Sequence, residues 1–320
     1  YWCARCRTAL AEAEVEYHDH TSPSIYVQFP LVSDAPASMG DLPADRTSVL
    51  IWTTTPWTIP ANLAVAFHPA YSYTAVRVPD GRCFVMAEDL VEAVMQEVGF
   101  ASYQKVGSLP GRQWEGLRCR HPLYERDSVI VLGDHVTLEQ GTGCVHTAPG
   151  HGQEDFEVGL RYGLDVLAPV DDAGKFTEDA PPFQGQFVFE ADPNVTALLR
   201  EKGALLKEDR LAHSYPHCWR CKEPIIFRAT EQWFISMEAN GLRRKALENI
   251  MKVAWIPHWG RERIYAMIEN RPDWCISRQR SWGVPIIAFH CASCNEIMLD
   301  GSVIRGVADE FEKNGSDCWF

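Results

Sequence analysis

The sequence has no apolar run near the roughly 20 residues that a membrane-spanning helix requires, so we predict no membrane partner. It also has no low-complexity segment and no internal repeat of fixed period, which argues against disordered and solenoid proteins. Positive charge is scarce: the net charge is −13, which argues against a protein that coats nucleic acid. A folded chain of 320 residues, long enough for two or more domains, is what remains.

Several common catalytic motifs are absent as well. The sequence contains no GxSxG nucleophile elbow, no Walker loop and no GxGxxG fingerprint, so a serine or cysteine nucleophile is not favoured. An initiating methionine is also missing, and nothing near Tyr1 resembles a signal peptide. We therefore expect the chain to be an internal piece of a longer protein.

Cysteine, by contrast, is plentiful. Six of the 11 cysteines fall in Cys-x-x-Cys pairs, which are Cys3/Cys6, Cys218/Cys221 and Cys291/Cys294. In a chain without a secretion signal, such pairs indicate zinc ligands before disulfides. Tyr1–Arg7 and Tyr215–Lys222 are built alike, with an aromatic residue before the cysteine pair and a basic residue after it.

Two such pairs supply the four thiolates of a closed tetrahedral zinc site. We therefore predict one structural Zn²⁺ bound by Cys3, Cys6, Cys218 and Cys221, which would clamp together the two ends of an inserted domain. The alternative is that one of these pairs is merely buried free cysteine. The third pair has no evident partner pair, so either its remaining ligands lie beyond Phe320 or it binds no metal.

The most informative stretch is residues 52–69, WTTTPWTIPANLAVAFHP. The preceding Ser48–Trp52 is mostly apolar and β-branched, which predicts a strand that leads into Thr53–Thr55. Pro56 lacks an amide hydrogen and disfavours helix in the residue before it. We therefore expect the threonines to lie where the strand ends and its backbone becomes free to face a ligand.

A second strand is predicted from Asn62 onward. Its large and small residues alternate, with Leu63, Val65 and Phe67 on one face and Asn62, Ala64 and Ala66 on the other. Because side chains alternate across a strand, this pattern predicts one face in the core and one face lining a cavity. The alternative is an ordinary hairpin in which the threonines serve only β-propensity.

Residues 141–156, GTGCVHTAPGHGQEDF, form a second informative stretch. Its glycines, histidines and proline precede a predicted helix, Gln153–Tyr162, whose first turn carries Glu154 and Asp155. An aspartate at the rim of a cavity is suited to bind a cationic amine. Acids in the first turn are also favoured by the helix dipole, so simple capping is the alternative.

Helical spacing on Gln153–Tyr162 and just beyond it predicts two stripes, an inward one of Phe156, Leu160 and Leu164 and a second of Asp155 and Gly159. A glycine beside the aspartate would let a ligand approach. His146 is expected either to bond a hydroxyl or to be a satisfied core histidine. A metal site of His146, His151 and Asp155 is not favoured, because the residues between the histidines break helical ligand spacing.

The remaining pattern gives a coarse secondary structure. Thr47 to about Lys207 is predicted to be mostly β, because short apolar runs alternate with Gly, Pro and Asp. Helices are also predicted at Glu88–Val98 and, more briefly, at Val195–Glu201. From Gln232 onward the pattern is helical and basic, with a clear helix at Leu242–Lys252 and a strand-like run at Val284–Ile287.

The two informative stretches resemble the signatures of the editing domain of the isoleucyl-tRNA synthetase family, an insertion called connective peptide 1. YPHCWRCKEPIIFRATEQWFISM from Tyr215 and NRPDWCISRQRSWGVPI from Asn270 resemble the same family where its chain returns to the catalytic domain. Valyl and leucyl relatives usually have Thr-Arg-Pro where this chain has Thr-Thr-Pro, which favours the isoleucyl type. Glu154 departs from the family, which more often has a second aspartate there, and this leaves Asp155 as the matching carboxylate.

The resemblance implies an α+β, mostly β fold. A β-barrel-like editing domain would be inserted, through a zinc-knuckle base, into a class I Rossmann catalytic domain that is only partly present. The implied domains are residues 1–46 as zinc knuckle and connector, residues 47–207 as the editing domain, and residues 208–320 as the zinc-knuckle return and partial Rossmann domain.

The resemblance also implies roles for single residues. Asp155 would bind the α-ammonium of a misattached amino acid, and the hydroxyls of Thr54 and Thr55 would hold the substrate and the hydrolytic water. The further substrate-binding residues would be Thr53, Trp57, Asn62 and His146. The four paired cysteines match a structural zinc site at the base of the insertion.

The implied activity is hydrolysis of mischarged Val-tRNA(Ile), within a cytoplasmic enzyme that attaches isoleucine to tRNA(Ile) with ATP and Mg²⁺ and is monomeric when intact. The ATP-handling signatures HIGH and KMSKS are absent, so we expect no synthesis from this chain alone. A synthetic site can reward one methylene by only about 1–3 kcal/mol, for which valine against isoleucine is the standard example. A second, hydrolytic site therefore has a purpose.

Two other functions stay open at this point. One is an editing domain of the valyl type, and the other is a zinc-stapled module that binds tRNA without hydrolysing anything. The segment Arg243–Arg280 is basic, because residues 240–281 contain nine Lys or Arg and four Asp or Glu. It is expected either to meet tRNA or the catalytic core, or to be a solvated helical face.

Overall fold

The computed structural model describes residues 1–43, 45–280 and 283–320, which form two compact units, Tyr1–Thr230 and Glu231–Phe320. The strands are β1 (Trp2–Cys3), β2 (Thr8–Ala9), β3 (Val15–Pro30), β4 (Thr47–Thr53), β5 (Ala64–Phe67), β6 (Ser72–Arg77), β7 (Cys83–Ala87), β8 (Gln104–Pro110), β9 (Arg118–Arg120), β10 (Asp127–Leu132), β11 (Cys144–Thr147), β12 (Leu205–Cys218), β13 (Phe234–Ile235), β14 (Trp274–Cys275), β15 (Phe289–His290) and β16 (Ile297–Met298). The α-helices are α1 (Val91–Glu97), α2 (Gln153–Tyr162), α3 (Val188–Glu201), α4 (Leu242–Ile250), α5 (Gly260–Glu269) and α6 (Gly301–Asn314).

The larger sheet of the first unit has six strands in the order β12-β3-β4-β7-β6-β8. Strands β3 and β12 form a long antiparallel ribbon that pairs Val15 with Cys218 at one end and Val27 with Leu205 at the other. Helix α1 packs on this sheet through Val91, Val94 and Met95. The sheet therefore has an apolar core on the side of α1, built from alternate residues of its central strands such as Val76, Phe84 and Met86.

The smaller sheet has four strands in the order β11-β5-β10-β9. Strand β5 pairs in parallel with β10 and antiparallel with β11, so it lies inside the sheet. Within the described residues neither sheet closes on itself, and the fold is a mixture of α-helices and open β-sheets. The barrel-like closure that we predicted is therefore not observed, although the strand-rich character is.

Several predicted elements agree with the structure. The predicted strand Ser48–Trp52 lies within β4, and the predicted helix Gln153–Tyr162 has the bounds of α2. Helix α3 begins at Val188, before the predicted start at Val195. Pro193 masked this start, because a proline usually argues against a helix interior, yet here it lies within α3.

The second unit contains α4, α5 and α6 and two short antiparallel strand pairs. The strand expected at Val284–Ile287 is wrong, since the nearest strand is β15. Ser281 and Trp282, part of a family motif, lie outside the described residues. Throughout the described ranges, no helix is long and apolar enough to cross a membrane.

Candidate functional site

The threonine stretch leaves the larger sheet and enters the smaller one. Strand β4 ends at Thr53, a short 3-10 helical segment follows at Pro56–Ala61, and β5 begins at Ala64. We call Pro56–Ala61 the proline segment. Because β4 and β5 belong to different sheets, the alternative of an ordinary hairpin is wrong.

The three threonines end β4 in different surroundings. Thr53 is buried, and its hydroxyl oxygen accepts a hydrogen bond from the amide of Thr55 at 3.0 Å. Thr54 and Thr55 are half-buried, and the structure gives their hydroxyls no hydrogen bond to another described residue. These two hydroxyls are therefore the ones available to a ligand or a water molecule.

His146 on β11 joins the second informative stretch to the first. Its Nε2 lies 2.7 Å from the hydroxyl of Thr58, and its Nδ1 lies 3.0 Å from the amide nitrogen of the Asn62 side chain. The Thr58 hydroxyl also donates to the carbonyl of Thr55 at 2.8 Å. The proton on His146 therefore sits on Nε2, because Nδ1 must accept from the amide of Asn62.

Asn62 is fully buried, and both the nitrogen and the oxygen of its side-chain amide form hydrogen bonds. Its Nδ2 also donates to the carbonyl of Ala64 at 2.8 Å, and its Oδ1 accepts from the hydroxyl of Ser128 at 2.5 Å. Burial lowers the pKa of His146 to about 4, with His151 adding to the shift, so the ring is neutral near pH 7. Direct substrate contacts by Asn62 and His146 stay a prediction, whereas the observed bonds make both residues internal supports.

The small-residue face of β5 does not line an empty cavity. Ala64 and Ala66 are fully buried and pack against Val131, Val136 and, from α2, Val158. Small side chains on this face let a helix approach the sheet closely. The predicted cavity on this face is therefore wrong, because a helix contributed by a distant part of the chain fills the space.

Asp155 lies in the first turn of α2, at the edge of the loop that follows β11. Its Oδ2 accepts a hydrogen bond from the amide of Ala148 at 2.9 Å, and no other hydrogen bond to this carboxylate comes from the described residues. Burial raises the pKa of Asp155 to about 6, against the lowering effect of the Ala148 amide. The group is thus a half-buried carboxylate with spare acceptor capacity.

The predicted inward stripe is wrong for Phe156 and Leu160, although Leu164, just beyond α2, does pack against the apolar cluster. Phe156 and Leu160 are exposed, at 38% and 62%, whereas Val158 and Gly159 are buried. An added Cβ on Gly159 would lie 2.8 Å from Cγ of Pro149, so this glycine makes room for the proline rather than for a ligand. The helix is rotated relative to the prediction because α2 docks on the alanines of β5.

Trp57 is buried within the proline segment, so its ring is not exposed to a ligand at the surface. Its ring meets that of His151 edge-on at 5.0 Å between centroids, and its amide donates to Oδ1 of Asp192 at 2.9 Å. Burial raises the pKa of Asp192 on α3 to about 7, with the Trp57 amide opposing the shift. The role of Trp57 as a substrate contact stays a prediction.

Three residues that hold this region were not found by sequence reasoning. Thr58 lies inside the threonine stretch, but Ser128 and Asp192 come from β10 and α3, far along the chain. No local pattern marks them. Only the folded chain brings their oxygen atoms beside Asn62 and Trp57.

The four cysteines predicted to bind zinc do meet. The sulfur atoms of Cys3, Cys6, Cys218 and Cys221 lie within 4.8 Å of one another, and this is the one group of potential metal ligands found in the described residues. Tetrahedral Zn–S bonds place sulfurs about 3.8 Å apart, so the donor set fits Zn²⁺. The two mutual bonds between the backbones of Trp2 and Ile226, at 2.9 Å, tie the pairs together beside the site.

Two predicted features lie in the second unit, which are the third cysteine pair and the basic segment Arg243–Arg280. Cys291 and Cys294 lie on a surface turn, where hydrogen bonds, first from Ser293, lower the pKa of Cys291 to about 6. Arg243 donates to the carbonyls of Ile268 and Arg271, so it joins α4 to the last turn of α5 and to the chain just after it instead of facing solvent. Contact of this segment with tRNA stays a prediction.

Comparison with known proteins gives a consistent result. A model of the family "tRNA synthetases class I (I, L, M and V)" matches residues 1–320. Over 320 residues the chain is 61% identical to an isoleucine--tRNA ligase from Syntrophotalea carbinolica and 57% identical to one from Geobacter sulfurreducens. Each match covers 100% of this chain and 34% of the relative, so the chain spans about a third of the length of these relatives.

Among solved structures, the crystal structure of GlLeuRS-CP1 matches 58% of this chain and 99% of its own, with 15% identity and a TM-score of 0.46. The sequence comparisons are much stronger than this structural one. Because the family model covers the whole chain and the relatives are more than half identical to it, the chain belongs to the class I tRNA synthetases.

Proposed function

We propose that this chain is the proofreading part of an isoleucine--tRNA ligase and hydrolyses mischarged Val-tRNA(Ile). One observation carries the proposal: the two family signature stretches meet through the bonds of His146 to Thr58 and Asn62. The loop after β11, whose Ala148 amide binds Asp155, contacts the proline segment through the rings of His151 and Trp57. The identity to isoleucine--tRNA ligases supports the isoleucyl type over the valyl type.

In this proposal the carboxylate of Asp155 binds the α-ammonium of the misattached valine. The hydroxyls of Thr54 and Thr55 hold the ester and a water molecule. The hydroxyl of Thr53 accepts a hydrogen bond from the amide of Thr55 and so fixes the backbone there. Trp57, Asn62 and His146 complete the substrate-binding set, with their buried contacts keeping it rigid. Attack of water on an ester gains most from a held water and a polarised carbonyl, so no strong base is required.

The same proposal covers the remaining parts of the function. Residues 1–46, 47–207 and 208–320 would serve as the knuckle, the editing domain and the return to a Rossmann domain. Bound Zn²⁺ would supply a structural cross-link at the four cysteines. HIGH and KMSKS are absent from this chain, so we expect no synthesis by it alone. ATP, Mg²⁺, isoleucine and tRNA(Ile) would be used by the intact enzyme, which we propose to be monomeric and cytoplasmic.

Deacylation of mischarged tRNA by the purified chain tests the proposal. We expect hydrolysis of Val-tRNA(Ile), little hydrolysis of Ile-tRNA(Ile), and near-complete loss of activity in Asp155→Ala. The matched control is Glu154→Ala, since Glu154 is the neighbouring acid and is exposed. Equal activity of Asp155→Ala and the parent chain would refute the assignment.

The other two functions give different results in the same assay. A valyl-type domain would prefer Thr-tRNA(Val) over Val-tRNA(Ile). A module that only binds tRNA would retain tRNA in a binding assay, hydrolyse neither substrate, and be indifferent to Asp155→Ala.

A further inference from the structure

The hairpin of β9 and β10 holds the far end of the proline segment. Residues 121–126 connect these strands, and none of them belongs to the two informative stretches. Two side chains of this connection, His121 and Arg126, contact backbone carbonyls at the end of the proline segment, which are those of Ile59, Pro60 and Asn62. The last carbonyls of a helix lack partners inside it, so they need donors from elsewhere.

His121 is a buried donor with a defined tautomer. Its Nδ1 accepts from the amides of Leu123 at 3.0 Å and Tyr124 at 3.1 Å, so its proton is on Nε2. That Nε2 lies 2.9 Å from the carbonyl of Ile59. Burial lowers the pKa of His121 to about 3, with Arg126 adding to the shift, so the ring stays neutral.

Arg126 contacts two further carbonyls, those of Pro60 and Asn62, with one planar group. Its Nη2 donates to the carbonyl of Pro60, and its Nε donates to the carbonyl of Asn62 at 3.2 Å. The guanidinium carbon lies 5.1 Å from the centroid of the Tyr124 ring. Burial lowers the pKa of Arg126, and Tyr124, rather than a carboxylate, is the group that opposes the shift.

Among the described residues no carboxylate pairs with Arg126, and a half-buried cation of this kind is costly unless its donors are used well. Here the donors satisfy carbonyls at the negative end of a short helix, where a cation is favoured. One of these carbonyls belongs to Asn62, whose side chain is fixed by Ser128 on the same hairpin at 2.5 Å. The hairpin therefore fixes both the backbone and the side chain of Asn62.

From Asn62 the hydrogen bonds run in one direction. The amide of Asn62 donates to His146, His146 donates to the hydroxyl of Thr58, and Thr58 donates to the carbonyl of Thr55. We propose that Arg126 is a positioning residue for Thr54 and Thr55, acting through Asn62 and this chain of bonds. This inference rests on the deacylase function proposed above.

Kinetics of Val-tRNA(Ile) deacylation by the chain test this role. Arg126→Met should lower kcat by about 10- to 100-fold with KM changed less than about threefold, because a shift of the hydroxyls affects the reacting geometry more than binding. Arg126→Lys should fall nearly as far, since an ammonium lacks the planar fork. The matched control is Arg120→Met, because Arg120 is exposed on the same hairpin and should stay within about twofold of the parent.

A second measurement distinguishes a positioning role of Arg126 from a loss of folding, and it does not depend on the proposed deacylase function. Nitrogen-15 NMR of the histidine rings should show a protected Nε2 proton on His146 in the parent and faster exchange of that proton in Arg126→Lys. Unchanged His146 signals, or an unchanged kcat in Arg126→Met, would overturn the inference. So would a loss of kcat that only matches the unfolded fraction. If the parent itself hydrolyses no ester, the proposed function fails, while the His146 signals still decide the positioning role.

Discussion

At the scale of single residues, the site separates polar groups that are used from polar groups that are free. His146 and Asn62 spend their hydrogen-bonding capacity inside the protein. Thr54, Thr55 and Asp155 are only half-buried and retain capacity for a ligand. The sequence analysis predicted Thr54, Thr55 and Asp155 as catalytic and placed Asn62 and His146 among the substrate-binding residues, and these roles stay predictions.

The raised pKa of Asp155 leads to a pH dependence. In the proposed function the ionised carboxylate of Asp155 binds an ammonium, so activity should fall as pH drops through about 6, where Asp155 becomes protonated. We expect an acidic limb with a midpoint near 6 in a plot of kcat/KM for deacylation against pH. A midpoint near 4, the ordinary range for aspartate, would show that the carboxylate is not buried when it acts.

At the scale of elements, the proline segment is held from three sides. Helix α3 contributes Asp192 to its start, β11 contributes His146 to its middle, and the hairpin of β9 and β10 contacts its end. A segment this short has little stability of its own. Its conformation is therefore set by the elements around it.

Asp192→Asn should change how stability depends on pH. The native pKa of about 7 exceeds the ordinary value, so Asp192 favours folding at pH below about 4, and this contribution is lost as pH rises through 7. The asparagine keeps an oxygen for the Trp57 amide and does not titrate. The difference in free energy of unfolding between variant and parent should therefore shift in favour of the variant between pH 4 and 8.

Urea titrations at pH 5 and pH 8 provide the measurement. Glu190→Gln on the same helix is the control, since Glu190 is exposed. A difference between Asp192→Asn and the parent that is the same at both pH values would contradict the raised pKa.

The contact between α2 and its loop gives a prediction about packing. Gly159→Ala places a Cβ 2.8 Å from Cγ and 2.9 Å from Cβ of Pro149, a rigid ring. We expect a loss of about 1–3 kcal/mol in the free energy of unfolding, because overpacking must shift the loop that carries Ala148. Glu157→Ala on the exposed face should stay within about 0.5 kcal/mol of the parent. Chemical denaturation of both variants decides the point.

At the scale of the whole molecule, distant parts of the chain are joined at the four cysteines. The pairs Cys3/Cys6 and Cys218/Cys221 lie at opposite ends of the first unit in sequence and meet in space. Neighbouring apolar residues, Leu10 and Ile225, pack with Cys3 and Cys218 in one cluster. A metal bound there would cross-link the start of this unit to its end.

Removal of metal should destabilise this unit. Bound metal stabilises the folded state by mass action, so a strong chelator is expected to lower Tm by about 5–10 °C. Cys221→Ser should lose the bound zinc, measured by elemental analysis, whereas Cys318→Ser should keep it. Full zinc content in Cys221→Ser would place the metal elsewhere.

The division into two compact units leads to a prediction about truncation. Residues 1–230 alone should fold, bind zinc and retain deacylation of Val-tRNA(Ile), because the candidate site and the four cysteines all lie in the first unit. Circular dichroism and the deacylation assay provide the measurement. A truncated chain that folds but is inactive would show that the second unit contributes to the site.

Sequence patterns over a few residues determined some elements of this protein. Strand β4, helix α2 and the cysteine pairs follow from an apolar β-branched run, an acidic first turn after a Gly-rich loop, and ligand spacing, all of which act over a few residues. Tertiary structure alone decided which faces are covered and which polar atoms are free. The alanines of β5 meet α2, and the amide of Trp57 meets Asp192, which lies 135 residues away in sequence. Burial and hydrogen-bond pairing depend on such distant partners, and no local pattern encodes them.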